Sequence, residues 1–177
     1  MKFANIEYVT SHILQQLNIS KLPIPIEDIA TKRGLQIKPF DLGEDVSGVL
    51  MIDNGKGTIG YNPTESKVRQ RFTVAHELGH YELHKGEKEL FVDNFRVEFR
   101  NSKSSTGEIL KEQQANAFAA AILMPEKLLR KEIQSRKFDL AEEGTIKELS
   151  KVFNVSTTAM AFRIANLNLF QQITFKK

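Results

Sequence analysis

The segment His76-Glu77-Leu78-Gly79-His80 sets two imidazoles four residues apart with an acid between them. On a helix, positions i and i+4 lie roughly 40° apart around the axis, about one turn along it. Both rings then face the same way and can share one small cation. Zinc accepts neutral imidazole nitrogen, and a hydrolytic site adds a third protein donor and keeps one position open for water. Glu77 follows the first histidine, roughly 100° around the helix. Its carboxylate there meets water at the metal rather than the metal itself, the placement of a general base. So short a motif also arises by chance, so its neighbours decide. Val74, Ala75 and Leu78 give this helix a buried side.

Two imidazoles call for a third donor on another helix. Glu112 is the best candidate. It opens the run Glu112-Gln113-Gln114-Ala115-Asn116-Ala117-Phe118-Ala119-Ala120-Ala121-Ile122-Leu123-Met124-Pro125, rich in helix formers and stopped by proline. Gln113 and Gln114 are poor zinc ligands, so Glu112 is the acid of that turn. Ala115, Ala119 and Ala120 would let this helix approach another closely. Asn116 lies one turn beyond Glu112 on the same face. A ligating histidine usually donates its other ring N–H to a nearby acceptor, and the Asn116 side-chain oxygen is one.

The two stretches together, residues 71–80 and 112–125, resemble the ImmA/IrrE family of metallopeptidases. The resemblance extends to Leu22-Pro23-Ile24-Pro25-Ile26-Glu27-Asp28-Ile29-Ala30 with Gly34-Leu35, to Val46-Ser47-Gly48-Val49-Leu50 and to Ile59-Gly60-Tyr61-Asn62. It implies gluzincin-like chemistry, with His76, His80 and Glu112 as ligands of one zinc per chain and Glu77 as base. It also implies a protein substrate inside a bacterium, a helix-turn-helix repressor often encoded beside the peptidase on a mobile element. Where the wider gluzincin pattern has an acid, this chain has the amide of Asn116, which would polarise its histidine less. Two imidazoles and a carboxylate suit zinc best, with manganese and iron as the alternatives.

These residues must be held by a fold. A chain of 177 residues with 41% apolar content supports one domain, or one with a small appendage. The net charge of +3 is too small to argue for nucleic acid. There is no cysteine, hence neither a disulfide framework nor a thiolate metal site. The N-terminus has an early acid and no long apolar run, and nothing approaches the length of a membrane span. A cytoplasmic enzyme is the expectation.

Residues 4–17 carry apolar positions at helical spacing. Pro23 and Pro25 break the chain, and residues 26–32 read as a short helix ending at Gly34. Residues 35–40, 46–52 and 58–61 read as strands, the last two joined by the turn signal Asp53-Asn54-Gly55-Lys56-Gly57. Residues 62–65 then open the helix that carries the two histidines, running to about His84. The polar stretch 100–107 reads as a solvated loop between the two ligand-bearing helices. The expected fold is α+β and zincin-like. It has a small, mainly antiparallel three-stranded sheet on the active-site helix, with further helices at both ends. Residues 1–130 would form the metallopeptidase domain and 131–177 a C-terminal helical segment packed on it. An extended substrate would pair with a sheet edge, taken to be a strand within 46–61.

Residues 146–164 resemble a helix-turn-helix, with Asn154 in the turn and Ser156 as an N-cap. Its second helix begins Thr157-Thr158-Ala159-Met160, weak equipment for phosphates or base edges, so direct DNA binding is not expected. His84 reads as a helix-end residue that caps carbonyls, and His12 as a surface residue. Hydrolysis also needs a donor for the oxyanion. Tyr61, Tyr81, His84 and Arg163 are candidates, and the sequence does not separate them. The leading reading is a zinc endopeptidase. The alternative is a metal-containing regulator that binds a repressor or DNA through its C-terminal helices without cutting. Glu77 speaks against a purely structural site, which has no use for an acid beside its first ligand.

Overall fold

The computed structural model describes residues 3–86, 90–94, 106–136, 138–140 and 142–170. In chain order its elements are α1 (Phe3–Gln16), α2 (Ile26–Lys32), β1 (Leu35–Pro39), β2 (Val46–Asp53), β3 (Lys56–Tyr61), α3 (Lys67–His84), β4 (Leu90–Asn94), α4 (Thr106–Leu123), α5 (Glu126–Ser135), α6 (Glu143–Phe153) and α7 (Thr157–Asn166). The class is α+β, as expected. Among the described residues, no helix is long and apolar enough to cross a membrane.

The sheet differs from expectation. It is four-stranded and mixed, in the order β1-β3-β2-β4. β2 is antiparallel to both β3 and β4, while β1 runs parallel to β3, Leu35 facing Gly57 through to Pro39 facing Tyr61. Two chain reversals explain the parallel pair. One is the segment between β1 and β2. The other is the two-residue hairpin Asn54-Gly55, both residues at positive φ, which closes the Asp53–Lys56 pair. The added strand, β4, alternates exposed Leu90, buried Phe91 and exposed Val92. β2 and β3 are therefore flanked on both sides, and the edges among the described strands are β1 and β4. Among the described strands, neither β2 nor β3 leaves a free edge, so the edge expected within 46–61 is not there.

α3 lies between the sheet and α4, which is why almost every residue from Gln70 to His80 is buried. It starts later than the sequence suggested. Asn62 folds residues 62–64 into a turn, its Oδ1 accepting from the Thr64 N–H and hydroxyl, and Ser66 caps the helix by accepting from Arg69 N–H. Polar groups carried inward on this buried helix meet backbone oxygens. Gln70 donates to Pro63 O and Glu65 O, and Arg71 to Ile24 O and Asn154 O. Burial pushes the Arg71 guanidinium down from its usual value, and Glu27 at 3.6 Å opposes that.

Two glycines set the spacing of these layers. A Cβ on Gly79 would sit 3.1 Å from Phe118 Cβ and 3.2 Å from Ala115 Cα, so its absence lets α3 and α4 touch. A Cβ on Gly48 would sit 2.3 Å from Thr73 Cγ2, so β2 rests directly on α3. Phe118, Ile122, Leu123 and Met124 of α4 and its C-terminal end join Leu78, Leu50, Ile59 and the α1–α2 isoleucines in one core. Pro125 ends α4 and opens α5. α6 and α7 form the expected turn, with Asn154 left-handed at the C-cap of α6 and the Ser156 side chain accepting from Ala159 N–H. Of the polar stretch 100–107, residues 100–105 lie outside the described residues and the last two open α4.

Candidate metal centre

His76 and His80 project from α3 and Glu112 from α4, and their side-chain ends converge. The two Nε2 atoms are 3.0 Å apart. Glu112 Oε2 lies 3.2 Å from His76 Nε2, and Oε1 lies 3.2 Å from His80 Nε2. Among the described residues, these three form the cluster able to hold a metal. Tetrahedral zinc with bonds of ~2.0–2.1 Å sets its donors about 3.3 Å apart, within a few tenths of these separations. Both imidazoles are buried, while Glu112 keeps 32% of its side chain exposed, so the cluster opens to solvent on that side.

Hydrogen bonds behind the rings orient the lone pairs. Asn116 Oδ1 lies 3.0 Å from His76 Nδ1. An amide oxygen only accepts, so His76 carries its proton on Nδ1 and turns its Nε2 lone pair to the centre. His80 is held by a longer chain. His84 Nε2 is 2.9 Å from Gln114 Oε1, and His84 Nδ1 is 3.3 Å from His80 Nδ1. His84 thus donates to Gln114 and accepts from His80, which also turns the His80 Nε2 lone pair to the centre. Phe91 of β4 stacks on the His80 ring, centroids 4.7 Å apart.

Two nitrogen lone pairs and a carboxylate this close require a positive charge among them. Burial lowers the His80 pKa from its ordinary value, so the neutral ring that a metal needs is the favoured form. Burial alone would raise the Glu112 carboxyl. Without a metal, a proton on the ring nitrogens that face it, donated to Glu112, outweighs that and holds the carboxyl well below the usual carboxylate range. The donor set and its geometry fit a divalent cation.

Glu77, fully buried, points to the sheet side of α3. A Cβ on Gly48 of β2 would lie 3.0 Å from its Oε1. Asn116 sits where the sequence placed it. His84 does not cap carbonyls: it is buried in the chain behind His80. Arg163 binds Glu7 through both terminal nitrogens and Met124 O through Nε, tying α7 to α1 and the end of α4. Tyr81 packs beside Gly57 of β3, with Lys85 Nζ over its ring at 4.6 Å. Tyr61 ends β3, partly buried against the core. Gln114 and Phe91 were missed. Gln114 lies two residues after Glu112, a spacing that does not share a helix face, so no local signal ties it to His84.

The match to known proteins agrees with this chemistry. Residues 30–165 match the model of a peptidase family described as the IrrE N-terminal-like domain. The chain is similar to the metallopeptidase ImmA of Bacillus subtilis (strain 168), at 26% identity over 149 residues, 82% of this chain and 78% of that one. Its fold is similar to that of a Mycobacterium tuberculosis transcriptional regulator, with a TM-score of 0.63 at 15% identity. That match covers 92% of this chain but only 46% of the regulator, so the chain spans about half the length of that protein. With its family model spanning both α3 and α4, the chain belongs to the ImmA/IrrE family of metallopeptidases.

Proposed function

We propose that the chain is a zinc-dependent endopeptidase that cleaves one intracellular protein, a helix-turn-helix repressor, and so relieves repression of a mobile element or stress response. The observation that carries this reading is the convergence of the His76, His80 and Glu112 donors, each histidine with its tautomer fixed from behind. His76, His80 and Glu112 would hold one zinc. Bound there, zinc supplies a Lewis acid that acidifies water and polarises a peptide carbonyl. Asn116 and the His84–Gln114 pair keep the imidazoles aimed. Glu77 accepts the proton of the attacking water and passes it to the leaving amine. β4 is the edge strand whose Phe91 touches His80, which favours it as the strand that receives an extended peptide.

The working division is a catalytic unit of residues 1–130 and a C-terminal helical segment of residues 131–177, in the cytoplasm. The selectivity such a compartment demands fits a single protein substrate. The test is co-incubation of the zinc-loaded chain with the product of a repressor gene encoded beside it. Mass spectrometry of the products should give one discrete cut, abolished by a chelator and restored by zinc. An intact repressor under those conditions, with repression still relieved in cells, would replace proteolysis by direct binding.

A further inference from the structure

A trough of about 790 Å³ runs between α3, α4 and α7. Asn116, the residue that holds His76, forms part of its lining, as does Gln113, the neighbour of Glu112. Phe72, Ala117, Ala120, Ala159 and Phe162 also line it. Phe162 is 65% exposed, on the side of α7 away from its buried Met160, Arg163 and Ile164. The two arginines of the lining are already engaged: Arg69 with Ser47 and Glu65, Arg163 with Glu7 and Met124 O. The trough therefore offers an apolar surface with no strong call for a charged ligand.

We propose that this trough is the pocket that selects the peptide, taking a large apolar side chain within two residues of the scissile bond. The proposal rests on the peptidase reading above and adds the chemical class of the substrate. Continuity argues for this occupant. A peptide drawn over His76, His80 and Glu112 passes the mouth of a trough that begins one helical turn along α4, at Asn116. Alanines at 117 and 120 leave room for a bulky group, and Phe162 supplies the outer wall. The C-terminal helix pair then has a role other than reading DNA: α7 is one side of the substrate pocket. Burying a Leu or Phe side chain here is worth about tenfold or more in affinity.

The test is binding of peptide hydroxamates to the zinc-loaded chain, measured by calorimetry. Acetohydroxamate reports the metal centre alone. Dipeptide and tripeptide hydroxamates with Gly, Leu, Phe or Asp at the first or second position report the trough. Leu or Phe at one of these positions should bind at least tenfold more tightly than Gly, and Asp no better than Gly. Ala120→Phe, which fills the trough, should abolish that advantage and leave acetohydroxamate affinity and zinc content unchanged. Phe162→Ser, at an exposed position, should reduce it several-fold without lowering the thermal midpoint. No apolar advantage in the wild type, or one that survives both substitutions, overturns the pocket while leaving the peptidase reading intact. Failure of acetohydroxamate to bind a zinc-loaded chain overturns the metal-centre reading and the pocket with it.

Discussion

Gly48→Ala tests how the sheet positions the base. The added Cβ would lie 2.3 Å from Thr73 Cγ2, 3.0 Å from Glu77 Oε1 and 3.4 Å from Glu77 Cγ. Carbon atoms in contact prefer ~3.5–4.0 Å, so the first contact is an overlap of over an ångström. Thr73 is fully buried and its methyl has no solvent to swing into. Overpacking of this kind costs about 1–3 kcal/mol. The stiffer alanine backbone returns roughly 0.5–1 kcal/mol in a strand. The net loss, up to ~2.5 kcal/mol, lowers the thermal midpoint by up to about 10 °C in a chain of this size. Thr73→Ser deletes Cγ2, so the double variant should recover most of that loss relative to Thr73→Ser alone. The contact with Glu77 Oε1 persists in the double variant. Misplacing a reacting group by ~1 Å can cost 10²-fold, so a shift of a few tenths should cost about tenfold in kcat, with KM and zinc content unchanged. The assay compares melting, zinc content and peptide turnover across the four proteins. A double variant that regains both stability and rate would show that Gly48 spaces the helix without placing Glu77.

The chain behind His80 gives a second prediction. His84→Ala and Gln114→Ala should each weaken zinc affinity about tenfold while Glu112→Gln weakens it more, read by competition with a chelator. Equal affinity in all four proteins would remove both the third donor and its support. The third prediction concerns pH. Burial lowers the His80 pKa from 6.5, so below that value the unfolded chain binds a proton that the folded chain resists. Stability of the metal-free protein is therefore full above pH 6.5 and falls as pH falls through it. Glu112, also depressed in the folded state, adds loss below its ordinary 4.5. Thermal midpoints across pH 4–8 in chelator should slope downward on the acid side; a rise there would contradict the burial argument.

The site was legible wherever one helix sets the geometry. His76, Glu77 and His80 follow from helical periodicity, and Asn116 from the single turn that separates it from Glu112. His84 was misread because its role depends on Gln114 of another helix, and helix-end capping is the local expectation for a terminal histidine. Arg163 looked like a possible donor for the same reason. Nothing local to α7 shows that Glu7, far away in sequence, meets it. In the sheet, the turn at Asn54-Gly55 fixed one pairing, but the parallel β1–β3 contact is non-local. β4 is five residues with charged neighbours, and its pairing with β2 is carried by Phe91 packing over His80 rather than by a hairpin signal.

The most direct test of the central claim replaces one oxygen. Glu77→Gln keeps the size and the buried packing of the side chain but cannot accept the proton of water. It should retain zinc, melt near wild type and still bind the repressor. Removing a general base typically costs at least 10²-fold, so in a gel time course at matched zinc content the variant should leave the repressor uncut while wild type cleaves it. Equal rates for the two proteins would contradict the account.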